Sequence, residues 1–269
     1  MTTTLQFSTN LAHQVGELLL QFYKPKGIAF NFKEDRSIVT EADLTADRMI
    51  AEQIKKNYPE DLLVSEENHP TFRFDPEGGK NLQGPKGVWV IDPLDGTTNF
   101  SLGLHYWGVS IARLVNGWPD IAVLYYPLLD ELYTAQKGAG AHLNGNPLQV
   151  MPPDQNPLSF FSCCSRTFRR YDVGIKYKAR ILGCASYSFC TVANGIALIG
   201  FESTAKIWDL AGGWLLLQES SGVMETLNGT QPFPLEHHRD YSQINFPIIA
   251  AATPNLALEA HNQIRPKTR

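Results

Sequence analysis

The sequence predicts a layered α+β/α/β fold, with sheets covered by helices. Three observations predict it. Two amphipathic helical segments open the chain, a run of short strands punctuated by Asn-Gly turns follows, and strand-like and helix-like segments mix after residue 158. Such a mixture buries its apolar faces by stacking sheets on helices.

Residues 5–23 carry Leu5, Leu11, Val15, Leu18, Leu19 and Phe22 at helical spacing, and Pro25 stops the helix. IAFNFK (28–33) is strand-like. Thr40, with Asp43 three positions on, resembles a capping box at the start of a second helix. Ile50 and Ile54 continue its apolar face to Tyr58, and Pro59 ends it. LLVS (62–65) reads as a short buried strand with Glu66 and Glu67 at its end, Glu67 as an exposed acid. Residues 68–87, rich in Pro, Gly and charge, read as a surface loop, and VWVI (88–91) as the next strand.

WGVSIARLV, Asn116-Gly117 and IAVLYYP read as a hairpin, and ELYTAQKG with GAHLNGNPLQV extends it through Asn144-Gly145. MPPDQNP (151–157) carries three prolines, which predicts a boundary between sublobes 1–150 and 151–269. LSFFSC (158–163) and ARILGC (179–184) read as strands flanking a basic stretch from Arg166 to Arg180. SYSFCTVANGIALIG (186–200) reads as an apolar helix, followed by a short piece, FESTAKI. A helix starts near Asp209 and ends by Gly222; IIAAATP (248–254) is a last strand and NLALEAHNQI a last helix.

The 269 residues carry a net charge of −4 with the signs interspersed, which argues against a nucleic-acid polymer as partner, since phosphate backbones demand a basic face. The four cysteines form no CxxC pair and have no histidine at zinc spacing, so they read as buried small side chains in a reducing compartment. No stretch approaches the roughly 20 apolar residues of a membrane span. The N-terminus has no basic region ahead of an apolar run, and a cytoplasmic location is expected.

The most informative stretch is VWVIDPLDGTTNF (88–100). A turn through Pro93 and Leu94 lets Asp92 and Asp95 converge. Two converging carboxylates repel, and a hard divalent cation relieves that repulsion. The Leu94 carbonyl is a further oxygen ligand. Gly96, Thr97 and Thr98 then present backbone N–H groups at the start of a helical turn, where phosphate oxygens bind. Cation ligands beside an anion cradle suit metal-assisted phosphoryl transfer. A bare D-x-x-D, by contrast, is equally an Asp-rich turn.

The full string D-P-L-D-G-T-T-N resembles the first signature of the inositol monophosphatase superfamily, the lithium-sensitive, magnesium-dependent phosphomonoesterases. Ser65-Glu66-Glu67 is similar to its upstream acidic pair, Val39-Thr40-Glu41-Ala42-Asp43 to its V-T-x-x-D, and Trp208-Asp209-Leu210-Ala211-Gly212-Gly213 to its second signature. The resemblance implies an alternating αβαβα sandwich of the sugar-phosphatase type and a homodimer. It also implies one magnesium on Glu66, Asp92 and the Leu94 carbonyl, a second on Asp92, Asp95 and Asp209, and a weak third near Glu66 and Asp43. Manganese would substitute and lithium would inhibit. Asp43 and Thr97 would orient the attacking water, and the Gly96 and Thr97 amides would hold the phosphate. Taken alone, Asp43 reads as a helix cap, and it is Thr97 in the downstream motif that favours a site role; Asp209 reads equally as a helix N-terminal acid.

The resemblance places a small phosphorylated polyol or nucleotide in the site. Glu202, seven residues before Asp209, stands where an acid accepts inositol hydroxyls in relatives, and Gly183-Cys184-Ala185-Ser186 aligns with their small-residue turn beside the polyol. Cys184 and Ser186 depart from that pattern. The expected activity is hydrolysis of an inositol monophosphate or similar polyol phosphate. The alternatives are a 3′-phosphoadenosine 5′-phosphate or fructose 1,6-bisphosphate phosphatase, or a non-catalytic metal- and phosphate-binding relative. The basic stretch reads either as a second-phosphate contact or as a solvated loop, and Tyr171 and Tyr187 either as adenine platforms or as packing.

Overall fold

Strand β4 (Val88–Asp95) organises the molecule, because both of its faces are buried. Val88 and Val90 enter one core, and Trp89 and Ile91 the other. Side chains alternate along a strand, so a strand covered on both sides reads as one apolar run. The computed structural model describes residues 3–33, 38–67, 87–155, 158–236 and 239–268. The surface loop expected at 68–87 therefore lies, but for Gly87, outside the described residues.

Helix α1 (Thr4–Phe22) precedes a two-residue pair, β1 (Asn31–Phe32) and β2 (Ile38–Val39). Helix α2 (Glu41–Asn57) opens with the expected capping box of Thr40 and Asp43. The large sheet joins β3 (Leu62–Ser65), β4, β5 (Gly108–Val115), β6 (Trp118–Tyr126), β7 (Glu131–Gln136), β8 (Gly140–Leu143) and β9 (Asn146–Leu148), in that order. The first pair is parallel and the rest antiparallel. Both Asn-Gly dipeptides turn hairpins with positive φ at each residue: 52° and 77° at Asn116-Gly117, 50° and 78° at Asn144-Gly145.

The second sheet has the order β12 (Ala179–Arg180), β10 (Phe160–Cys163), β13 (Ala197–Ala205), β15 (Phe246–Ala251) and β14 (Val223–Thr226). Helices α5 (Ala185–Ala193) and α6 (Ile207–Glu219) lie between the sheets, α1 and α2 cover the outer face of the first, and α7 (Pro254–Gln263) packs on the second. The layers run αβαβα. One core cluster includes residues of both sheets, α5, α6 and α7, and a second joins α1 and α2 to the first sheet. Among the described residues, no helix is long and apolar enough to cross a membrane.

Three expectations need correction. Residues 186–200 are not one helix: α5 stops at Ala193, Gly195 takes a φ of 75°, and the chain becomes β13, the central strand of the second sheet. Both pieces are buried on all sides, so no amphipathic period separates them. The strand expected over 179–184 is only the two residues of β12; the chain then loops into α5. The basic stretch is not a plain loop. It holds a helical turn, α4 (Thr167–Arg170), and β11 (Tyr171–Val173), which pairs with an unanticipated β16 (Ile264–Pro266).

Candidate active site

Four separated segments bring their acids to one end of the large sheet. β4 carries Asp92 and Asp95 on either side of a register shift against β5, and that irregularity turns both carboxylates to one side. The N-terminus of α6 brings Asp209. Carboxylate oxygens of Asp92, Asp95 and Asp209 lie within 4.8 Å of one another. Glu66, at the end of β3, is near enough for its charge to press on both Asp92 and Asp209.

Asp43 and Asp209 reach the site by the same device. Each is the third residue of its helix and accepts the N–H of the residue ahead of it: Thr40 N to Asp43 Oδ2 at 2.8 Å, Lys206 N to Asp209 Oδ2 at 2.7 Å. The capping and site readings are thus compatible, because the cap aims the carboxylate. Asp43 spends Oδ2 on Thr40, whose hydroxyl also donates to it, and accepts the Thr97 hydroxyl on Oδ1 at 2.9 Å. Thr97 Oγ1 also lies 3.0 Å from the Leu94 carbonyl oxygen.

Burial pushes the Asp92 and Asp209 carboxyls well above the ordinary range, and neighbouring acids push them further: Glu66, Asp95 and Asp209 on Asp92, and Asp95 and Glu66 on Asp209. Among the described residues, no Lys, Arg or His forms an ion pair with Asp92, Asp95 or Asp209. Clustered, buried, like-charged oxygens without a counter-charge fit a hard dication and exclude a soft one.

Lys33 bridges Glu66 at 3.2 Å and Glu67 at 2.6 Å. Burial works against its charge, yet the two glutamates outweigh burial and hold its pKa above the ordinary value. Glu67 is not the exposed acid the sequence suggested: its side chain is only 4% exposed, and burial with the charge of Glu66 pushes its carboxyl up to about 7. Ser65 has a role as well. Its hydroxyl donates to Asp47 on α2, fastening the end of β3 to that helix.

Helix α3 (Thr97–Leu102) begins at Gly96, whose φ is 89°. A Cβ there would sit 2.7 Å from the Tyr106 carbonyl oxygen, so only glycine fits. The opening amides of the helix have no partner within it. Asn99, which sequence reading passed over, locks the neighbouring turn by donating to the carbonyls of Tyr106 at 2.6 Å and Leu182 at 2.8 Å. Its side chain also stands where a Cβ on Gly183 would go.

The candidate polyol-binding residues line one open cleft of about 760 Å3 with Thr98, Asp95 and Asp209. The donors of the small-residue turn point at Asp95. Ala185 N donates to Oδ1 at 3.2 Å, while Ser186 N at 2.6 Å and Cys184 Sγ at 3.1 Å donate to Oδ2. Burial, reinforced by Asp95, raises the Cys184 thiol well above its ordinary value, so it stays a donor. Ser186 Oγ lies 2.8 Å from the buried Tyr126 hydroxyl, which anchors the start of α5 from behind. Glu202 is buried on β13 and accepts Ser188 Oγ at 2.9 Å.

Tyr187 stacks on Tyr106, and Tyr171 meets Phe201 edge-on, so both tyrosines pack within the protein. Trp208 is buried. All four cysteines are free, and three are buried as expected. Cys164 differs: it lines the cleft half-buried. Burial would raise its thiol, but hydrogen bonds from the Ser203 hydroxyl and amide and from Thr167 outweigh that and hold it below the ordinary value. Nothing in its sequence context distinguished it from Cys163.

The inositol monophosphatase family description matches residues 1–266. Inositol monophosphatase 1 of Sus scrofa is 30% identical over 254 residues, covering 90% of this chain and 89% of its own. A histidinol-phosphatase of Chlorobaculum parvum is 31% identical over 244 residues, covering 86% and 88%. Among solved structures, the IMPase of Thermotoga maritima superposes with a TM-score of 0.74 at 26% identity, over 96% of both chains. With the acidic cluster, the αβαβα layering and a match over nearly its full length, the chain belongs to the inositol monophosphatase family.

Proposed function

We propose that the chain is a magnesium-dependent phosphomonoesterase acting on an inositol monophosphate or a similar polyol phosphate. The observation that carries this reading is the convergence of Asp92, Asp95 and Asp209 within 4.8 Å, next to a Thr97 hydroxyl already bonded to Asp43. Family membership supports hydrolysis of a phosphoric monoester. Cytoplasmic location and a homodimer are part of the same proposal, as is a chain built from sublobes 1–150 and 151–269.

Asp92, Asp95 and Asp209 would hold one cation; Glu66, Asp92 and the Leu94 carbonyl another; and Glu66 with Asp43 a weaker third. Magnesium is the expected ion, with manganese as substitute and lithium as inhibitor. When bound, such a cation stabilises charge on the phosphoryl oxygens and acidifies water. The chain supplies the positioning. The opening amides at Gly96 and Thr97 hold the phosphate. Thr97 accepts a proton from the attacking water and passes its own to Asp43 Oδ1. Oxygen of that water bonds to phosphorus, the ester P–O bond breaks, and the leaving alkoxide takes a proton from solvent while Asp43 releases the one it received. Glu202 is the acceptor for polyol hydroxyls.

Phosphate release from a panel of esters, with magnesium or with chelator, tests this reading. Release is expected only with magnesium, fastest from polyol monophosphates, and slowed by lithium. Release that ignores the chelator would refute it.

The acid cluster also sets how stability follows pH. Asp92 and Asp209 keep their protons in the folded, metal-free protein to higher pH than in the unfolded chain, where such carboxyls titrate near about pH 4. Their contribution to stability is complete below about pH 4 and is lost as pH rises through the raised folded values. The Tm in chelator is therefore expected to fall from mildly acid to mildly alkaline pH. Millimolar magnesium should restore it, and more so at the higher pH, because ligands must be deprotonated. Asp92→Asn should flatten the fall in chelator. A wild-type fall no steeper than the variant's would remove the cluster as its cause.

A further inference from the structure

The three clustered aspartates are not aimed in the same way. Asp92 accepts the Leu94 amide at 3.0 Å and Asp209 the Lys206 amide at 2.7 Å, so each is fixed by its own turn of chain. Asp95 has no such local partner. It ends β4, beyond the register shift against β5, where the regular pleat no longer directs its side chain. It also lines the open cleft, and the neighbouring acids repel it in that direction. Its donors all come from the start of α5: the Ala185 amide to Oδ1 at 3.2 Å, and the Ser186 amide and Cys184 thiol to Oδ2 at 2.6 and 3.1 Å. Backbone amides are present whatever the sequence. Among the described residues, the Cys184 thiol is the one side chain that donates to Asp95.

The turn that carries these donors is itself held from two sides. On one side Asn99 donates to the Leu182 carbonyl at 2.8 Å. On the other, the Tyr126 hydroxyl of β6 lies 2.8 Å from Ser186 Oγ and 3.5 Å from Cys190 Sγ, one turn further along α5. Tyr126, Ser186 and Cys190 are all fully buried, so no water competes for these contacts. Cys184 and Ser186 are the two residues at which this chain departs from the small-residue pattern. The first supplies a donor to Asp95, and the second ties the donating turn to the large sheet. An alanine at either position could do neither.

We propose that Cys184 and Ser186 are positioning residues for Asp95: the thiol, and the Ser186 amide kept in place by Tyr126, hold the carboxylate turned into the acid cluster where a cation binds. The proposal rests on the metal-dependent phosphatase reading of this site and names what tunes its cation affinity. Neither side chain has to touch the cation or the ester. Partners that orient a ligand carboxylate from outside contribute much of a metal site's affinity, because the ligand is then already aimed when the ion arrives.

The test measures the manganese dissociation constant without substrate for wild type, Cys184→Ala, Cys184→Ser, Tyr126→Phe, Ser186→Ala and the Tyr126→Phe/Ser186→Ala double variant. Each is also melted in chelator, so that affinity is compared only between folded proteins. Cys184→Ala should weaken manganese by about tenfold, the lower end of what an outer partner contributes. Cys184→Ser returns a donor and should restore most of the affinity, which a merely space-filling role would not give. Tyr126→Phe and Ser186→Ala should each weaken manganese, and the double variant no more than either alone, because both cut the same bond. Cys184→Ala within about twofold of wild type, or Cys184→Ser as weak as Cys184→Ala, would overturn the role of the thiol. Additive losses from Tyr126→Phe and Ser186→Ala, or no loss from either, would overturn the role of the Tyr126–Ser186 tie. Both results leave the phosphatase reading standing. A wild type that neither binds manganese nor releases phosphate with magnesium would overturn that reading, and the positioning role with it.

Discussion

Asp95→Asn is expected to abolish turnover while the protein still folds. Asp95 faces two ways. Toward α5 its oxygens accept the Ala185 and Ser186 amides and the Cys184 thiol. Toward the cluster it lies within 4.8 Å of Asp92 and Asp209. An asparagine keeps the size and one acceptor oxygen, but its NH2 confronts at least one of those donors. The mismatch costs about 1–3 kcal/mol, which a domain stable by roughly 5–15 kcal/mol survives. The other face loses a negative oxygen from the proposed cation site. Charge stabilisation by a bound cation supplies several kcal/mol, and each ~1.4 kcal/mol is tenfold in rate, so kcat should fall by about a thousandfold or more. Manganese affinity, measured on the protein without substrate, should fall as well. A cooperative melt with kcat within about tenfold of wild type would show that Asp95 is no ligand.

The parts of this site that were legible in the sequence are those encoded locally. D-P-L-D-G-T-T-N places two acids, a carbonyl, a glycine and a helix start within eight residues, and backbone geometry alone brings them together. The capping acid Asp43 and the twin Asn-Gly hairpins were legible for the same reason. Helices α1 and α2 showed because each is amphipathic against one sheet. What stayed hidden depends on partners distant in sequence. Asn99 donates to Leu182, 83 residues away, and Arg166 to Thr204, 38 away. Neither leaves a period or a spacing to read. The boundary between α5 and β13 has little signal because burial on every side erases amphipathic contrast; the Asn194-Gly195 pair is its one local mark. The burial of Glu67 leaves no mark in the sequence, because only the fold brings Lys33 to it.

Thr97→Val is expected to lower kcat by about a hundredfold or more, within the roughly 10²–10⁴ that positioned proton transfer contributes. Its Tm should fall only by what an unpaired Asp43 Oδ1 costs, about 1–3 kcal/mol, with the helix cap intact. The geometry makes the separation possible, because Asp43 divides its labour between two oxygens. Oδ2 closes the α2 cap through Thr40, and Oδ1 takes the Thr97 hydroxyl. Valine matches threonine in shape and removes only the hydroxyl, so the cap stays whole. Asp43→Ala, by contrast, opens the cap and removes the proposed proton acceptor together. It should lower kcat at least as far and also cost about 0.5–2 kcal/mol of stability, as lost N-terminal helix caps do. Thr97→Ser restores the hydroxyl and should return most of kcat, an outcome that a packing role for the threonine methyl would not give. The measurements are kcat at saturating magnesium and the Tm of each variant. If Thr97→Val keeps wild-type turnover while Asp43→Ala is merely less stable, then the Thr97–Asp43 pair is a structural fastening between α3 and α2, and the proton must leave the attacking water by another route.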